Sequence, residues 1–156
     1  MIKGTIRKYR DPDYEQIAII FHNAVHELAA KDYNLKQLEA WAPYNYDLDA
    51  WRIRCEEKQP FVFETEGTLA GYIEMDHDGH IDQTYVSPSF VGKGAMHQLM
   101  NHVKSVAKQN GINQLYSEVS ITARSFFERH GFVYSRDNKV ERNGVEFLNY
   151  ILVCDL

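Results

Sequence analysis

No stretch of this sequence approaches the roughly 18 consecutive apolar residues that a membrane-spanning helix requires. The opening Met1-Ile2-Lys3-Gly4-Thr5-Ile6-Arg7 also lacks the apolar core of a secretory signal. Both absences lead us to expect a cytoplasmic protein with no membrane partner. Cysteine is scarce: Cys55 and Cys154 stand far apart, without C-x-x-C or metal-ligand spacing, so reduced thiols are expected rather than a disulfide framework. Of the seven histidines only His22 and His26 form a close helical pair. Followed by Glu27, they read H-x-x-x-H-E rather than the H-E-x-x-H that sets a base beside zinc, and no metal is expected. Excess positive charge is missing too. With 17 Lys and Arg against 22 Asp and Glu, the net charge of −5 argues against nucleic acid held through its phosphates and suits a small cationic ligand. No Pro/Ser-rich linker, repeat or low-complexity tract interrupts the 156 residues, so a single domain over 1–156 is expected. The sequence leaves a homodimer open.

The hydrophobic pattern that is present switches period along the chain. Thr5 to Tyr9 reads as a first strand, and Asp11-Pro12 as a helix start. Ile17, Ile20, Phe21, Ala24, Val25 and Leu28 then recur at helical spacing. Residues 32–58 mix Trp41, Tyr44, Tyr46 and Trp51 with acidic residues around Pro43, and short helices and turns are expected there. Phe61–Thr65 and Leu69–Met75 form a predicted hairpin about Glu66-Gly67, and His80 to Val86 a third strand after Asp78-Gly79. A helix follows Gly92 and Gly94, with Met96, Leu99, Met100, Val103, Val106 and Ala107 on one face and Asn110-Gly111 as its stop. Leu115–Val119 is a predicted strand and Ala123–His130 a short helix. Phe132–Val140 and Val145–Val153 form a closing hairpin around Arg142-Asn143-Gly144. The order β-α-α-βββ-α-β-α-ββ describes an α/β (α+β mixed) fold, a mixed, mostly antiparallel central sheet flanked by helices.

A glycine-rich turn opening a helix offers unpaired backbone N–H groups at the positive end of the helix dipole, and glycines let a ligand approach the backbone closely. Such a turn suits a pyrophosphate. It is not a nucleotide P-loop, because Gly92-Lys93-Gly94 lacks the earlier glycine and the following hydroxyl of G-x-x-x-x-G-K-[S/T]. The run Val86-Ser87-Pro88-Ser89-Phe90-Val91-Gly92-Lys93-Gly94-Ala95-Met96 resembles the acetyl-CoA signature of the GNAT N-acetyltransferase superfamily: strand, V-x-P, then [Q/R]-x-x-G-x-[G/A]. Ser120-Ile121-Thr122-Ala123 and Phe126-Phe127-Glu128-Arg129-His130-Gly131-Phe132 resemble that family's second motif, N-x-x-A followed by an aromatic and E-[K/R]-x-G-F. The two motifs stand in the family's order and spacing. The family's Gln or Arg falls on Val91 and its last small residue on Met96. Either the chain is shifted locally there, or Met96 turns into the core as the helical stripe suggests.

The resemblance implies acetyl-CoA as co-substrate and acetyl transfer to a primary amine. It places the cofactor on Tyr85, Val86, Val91, Gly92, Lys93, Gly94, Ala95, Met96, Ser120 and Phe127, with an oxyanion donor among the strand amides near Tyr85 or Val86. A catalytically inactive acetyl-CoA-binding regulatory module on the same fold is the alternative. An alkyl amine with a pKa of about 10 must lose a proton before it attacks. His80 and Asp82, two apart on one strand, are expected to share a face, His80 as base and Asp82 orienting it or holding the ammonium group. Glu74 and Glu118 are the other carboxylate candidates. Phe127 falls where the family often carries a tyrosine acid, which leaves Tyr116, Tyr134 and Tyr150 unranked. Trp41, Tyr44 and Glu74 are expected to meet the acceptor, since aromatic faces and carboxylates attract a cation.

Overall fold

The structure, a computed structural model, describes residues 1–156. The strand β1 (Thr5–Lys8) leads into α1 (Asp13–Asn23), which widens into a π turn over Ala24–Leu28 and tightens into a 3₁₀ turn over Ala29–Lys31. Two helices follow, α2 (Leu35–Trp41) and α3 (Leu48–Lys58), so three helices stand before β2 where two were expected. The cause is α3. Of its 11 residues only Cys55 is buried, so no apolar stripe announces it; Asp47 caps its start, accepting from the amides of Asp49 and Ala50. The remaining elements are β2 (Phe61–Thr65), β3 (Thr68–Met75), β4 (Ile81–Val86), α4 (Ala95–Gln109), β5 (Gln114–Val119), α5 (Arg124–Arg129), β6 (Val133–Arg142) and β7 (Val145–Asp155). No helix is long and apolar enough to cross a membrane.

The expected central sheet is divided. One antiparallel sheet has the order β1-β2-β3-β4 and the other the order β5-β7-β6. They meet at a single parallel bridge, His80 to Tyr116, beyond which β4 and β5 part. Glu66-Gly67 and Asn143-Gly144 turn their hairpins with positive φ at both residues (50° and 76°, 49° and 75°), the combination that matches the twist of the flanking strands. Apolar residues fill both sides of the sheets. Ile73, Ile81, Leu99, Met100, Val103 and Phe127 pack under α4 and α5. Ile17, Phe21, Val25, Leu38, Tyr72 and Phe147 pack under α1–α3.

Candidate active site

Where β4 and β5 separate, a cavity of about 710 Å³ opens. Thr84, Tyr85 and Val86 of β4 form one wall, and the turn and first residues of α4, from Phe90 to His97, form one end. Thr122, Ala123 and Phe126 contribute from the β5–α5 side, and the π and 3₁₀ turns contribute Ala24, Glu27, Leu28 and Lys31. The wide turn after α1 thus serves the cavity, as π insertions in helices often serve sites.

The α4 turn is built to receive an anion. Gly92 and Gly94 take φ of 76° and 87°, values an L side chain strains to adopt. Gly94 stands at the N-cap position without a side-chain cap, and no acidic residue sits in the first turn. The amides of Gly92, Gly94, Ala95, Met96 and His97 have no backbone acceptor. A Cβ at Gly92 would meet nothing within 4 Å, so that side of the turn is open, whereas one at Gly94 would run into Met1. Of the residues expected to hold the cofactor, Tyr85, Val86, Val91, Gly92, Gly94, Ala95 and Met96 line the cavity. Lys93 is exposed beside the turn, with its ammonium group over the Phe90 ring. Ser120 accepts the amide of Ala123 in the turn before α5 and does not line the cavity.

One expectation at this end changes, and one open alternative is resolved. Phe127 lies in the core against Phe132 and does not line the cavity; its neighbour Phe126 does. Met96 is buried, its sulfur against Gly71, where a Cβ would lie 2.7 Å from it. It therefore belongs to the core and forms the cavity floor without a shift of the chain.

Along β4 the edge toward β5 is unpaired. Ser87 donates to the carbonyl of Ala70, and Tyr85 pairs directly with Tyr72, so strand alternation turns the amides of Thr84 and Val86 toward the gap. The oxyanion donors available are these two, rather than the amide of Tyr85. The Thr84 hydroxyl is also buried without a partner.

His80 and Asp82 share no hydrogen bond; Asp82 reaches His80 only through its charge, the smallest of the contributions that raise the histidine's pKa. The pairing of β3 with β4 slips between Ile73↔Thr84 and Met75↔Ile81, so β4 carries an extra residue there. Asp82 consequently faces α3, accepting from Arg54 and Lys58, both at 3.0 Å. These cations hold its carboxyl below the usual range against the opposing effect of burial. His80 lies at the vertex of the two sheets, stacked on Tyr116, with Nδ1 3.1 Å from Asp76 and Nε2 2.5 Å from Glu118. Burial pulls its pKa down, but Glu118 and Asp76, with a smaller contribution from the charge of Asp82, outweigh this and raise it above 6.5. Neither His80 nor Asp82 lines the cavity; Thr84, four positions beyond His80, is the first β4 residue that does. Asp76 is the contact the sequence reading missed, because it comes from the turn before the strand.

The expected acceptor residues are dispersed. Trp41 lines a second cavity of about 240 Å³ with Phe21, His22, Tyr46 and Trp51, and its Nε1 donates to the Tyr85 hydroxyl at 3.2 Å. Tyr44 is exposed and stacked on His26. Glu74 is fully buried, one oxygen 2.7 Å from Arg54 and the other unpartnered. Burial raises its pKa to about 7 while Arg54 opposes the rise. Of the tyrosines, Tyr116 donates to Asp78 and Tyr134 to Asp137, and none of the three candidates lines the cavity.

The family model described as an acetyltransferase (GNAT) domain matches residues 29–154. The chain belongs to the GNAT acetyltransferases. Within the family it is 31% identical over 148 residues to a protein of Escherichia coli K12 named uncharacterized N-acetyltransferase YafP, a match spanning 94% of this chain and 93% of that one. Its fold superposes on the GCN5-related N-acetyltransferase of Rhodopseudomonas palustris with a TM-score of 0.94 at 28% identity, over 100% and 98% of the two chains. The PaiA N-acetyltransferase of Thermoplasma acidophilum, solved with coenzyme A, shares the fold at a TM-score of 0.80 and 17% identity, over 99% and 100%. The divided sheet and uncapped glycine turn are thus features of a GNAT chain, and the enzyme is an N-acetyltransferase.

Proposed function

We propose that this GNAT domain, spanning residues 1–156, takes acetyl-CoA as co-substrate and passes its acetyl group directly to the primary amine of a small cationic molecule. The observation that carries this reading is the cavity between β4 and β5, with the uncapped Gly92–His97 turn at its end and the unpaired β4 amides along its wall. The turn would hold the pyrophosphate, and the thioester would lie by Thr84 and Val86. The amine nitrogen attacks the thioester carbon, the oxyanion formed takes hydrogen bonds from the Thr84 or Val86 amide, and the C–S bond then breaks. The nitrogen's proton leaves along the gap through water to His80, whose neutral form accepts it. The departing thiolate takes a proton from water, since none of Tyr116, Tyr134 and Tyr150 lines the cavity and the Tyr85 hydroxyl is engaged by Trp41.

For the acceptor, the support is the aromatic lining of the second cavity, Trp41, Tyr46 and Trp51, together with the acidic balance of the chain. Glu74 contributes less than expected, because Arg54 already answers its charge. A cytoplasmic location belongs to the same reading. Release of free CoA, followed with a panel of polyamines, amino acids and aminoglycosides, tests the transfer. Amine-dependent release supports the enzyme; binding of acetyl-CoA with no release by any amine supports the inactive regulatory module.

A further inference from the structure

The second cavity, of about 240 Å³, is walled by rings, and no carboxylate, lysine or arginine lines it. Phe21 and His22 of α1, Trp41 at the end of α2, and Tyr46 and Trp51 around the start of α3 supply the rings. Polar atoms among them are few. Nε1 of Trp41 already donates to the Tyr85 hydroxyl at 3.2 Å. Burial, helped by the neighbouring His26, lowers the pKa of His22 below 6.5, so its imidazole is neutral at pH 7. Asp47, the acid next to Tyr46, is taken up as the cap of α3. Such a cavity strips water from a cation without offering it a counter-charge. A flat apolar group gains there, both from burial and from edge-to-face contact with the rings. Room is sufficient, since an apolar cavity of about 150 Å³ already takes up benzene.

A positive charge stands beside these rings. In the β6–β7 hairpin Val140 pairs with Phe147 and Arg142 with Val145, so Arg142 shares a strand face with Phe147, whose ring centre is 6.3 Å from that of Trp41. The charge of Arg142 is felt at the Tyr33 and Tyr85 hydroxyls, where it opposes the rise that burial gives their pKa values. The acids felt at Tyr85, Glu74 and Asp82, are already paired with Arg54 and Lys58. Tyr85 also joins the two cavities. It lines the larger one, and its ring centre lies 4.9 Å from Phe21 and 6.4 Å from Trp41, both of which line the second. The amides of Thr84 and Val86 flank it along β4. A group seated in the second cavity is therefore one ring away from the β4 edge.

We infer that the second cavity seats an aromatic ring of the acceptor, and that the acceptor is a primary amine joined to that ring by a short chain. This rests on the acetyl transfer proposed above and narrows its acceptor. The reacting amine carries the molecule's positive charge to the β4 edge, and the ring is its second point of binding. Polyamines and aminoglycosides are disfavoured, because they bring a further cation to the place where the ring belongs.

Two measurements on the unaltered full chain test this. With acetyl-CoA saturating, CoA release is compared for 2-phenylethylamine, butylamine and putrescine, whose far ends are a ring, a methyl group and a second ammonium group. kcat/KM should be at least about tenfold higher for phenylethylamine than for butylamine, the scale of burying one ring, and lowest for putrescine. Trp41 and Trp51 are the only tryptophans of the chain and both line the second cavity. Phenylethylamine added to the protein with CoA should therefore change the indole emission saturably. Trp51→Leu, which opens one wall, should bring the ratio of phenylethylamine to butylamine close to one. Equal rates for the three amines, a preference for putrescine, release only with amines that carry no ring, or an unchanged emission overturns the ring seat alone. Release with none of these amines, nor with the wider panel, overturns the transfer reading and the ring seat with it.

Discussion

His80 is bound on both ring nitrogens, and this sets what it can do as a base. Asp76 and Glu118 stabilise its imidazolium, so the neutral form, the one able to accept a proton in the proposed transfer, grows in only as pH rises through a pKa above 6.5. kcat/KM should therefore rise with pH through that value. Glu118→Gln removes the largest raising contribution and should move the midpoint down, while His80→Ala should cost about a hundredfold and erase the limb. A profile that Glu118→Gln leaves in place would show that another group titrates. By linkage, the contribution of this pair to folding is complete below pH 6.5 and lost as pH climbs through the raised value. Met96 gives a second test at this scale. Buried against Gly71, it should cost about 2–5 kcal/mol when cut to Ala, measured by denaturant titration, while acetyl-CoA affinity changes little. A stable Met96→Ala protein that binds acetyl-CoA more tightly would mean the side chain crowds the cofactor instead.

At the scale of elements, the turn before α4 carries the binding claim. Gly92 faces open space, so Gly92→Glu should set a carboxylate where the pyrophosphate arrives and weaken acetyl-CoA by at least about tenfold, or 1.4 kcal/mol. Gly92→Ala is the control for backbone strain, worth about 1–2 kcal/mol in the left-handed region. Equal affinity in Gly92→Glu would place the pyrophosphate elsewhere. The turn, α4 and the hairpins were legible because glycine spacing and alternation mark them directly. The α3 helix was not, since its hold on the sheet comes from Arg54 and Lys58 reaching Glu74, Asp76 and Asp82, contacts with no periodic signature. The extra residue in β4 was equally hidden. Alternation placed His80 and Asp82 on one face, and a single register slip turned Asp82 toward α3.

For the whole molecule, the division of the sheet is what makes a site. Two antiparallel sheets joined at His80 and Tyr116 leave β4 with an unpaired edge over the cavity, a cost in backbone hydrogen bonds that a ligand would recover. The glycine-turn end of this cavity, where the proposal sets the pyrophosphate, was readable from two short motifs. The expected acceptor residues were not, because the fold sets Trp41, Tyr44 and Glu74 in three different places, none of them on this cavity's wall. The account stands on acetyl-CoA occupying the cavity, and thermal unfolding with acetyl-CoA, and with ATP in parallel, tests that most directly. At a hundredfold excess over its dissociation constant acetyl-CoA should add about 2.7 kcal/mol, raising Tm by roughly 5–10 °C, with ATP giving far less. No shift at millimolar acetyl-CoA, or an equal shift with ATP, would contradict the account.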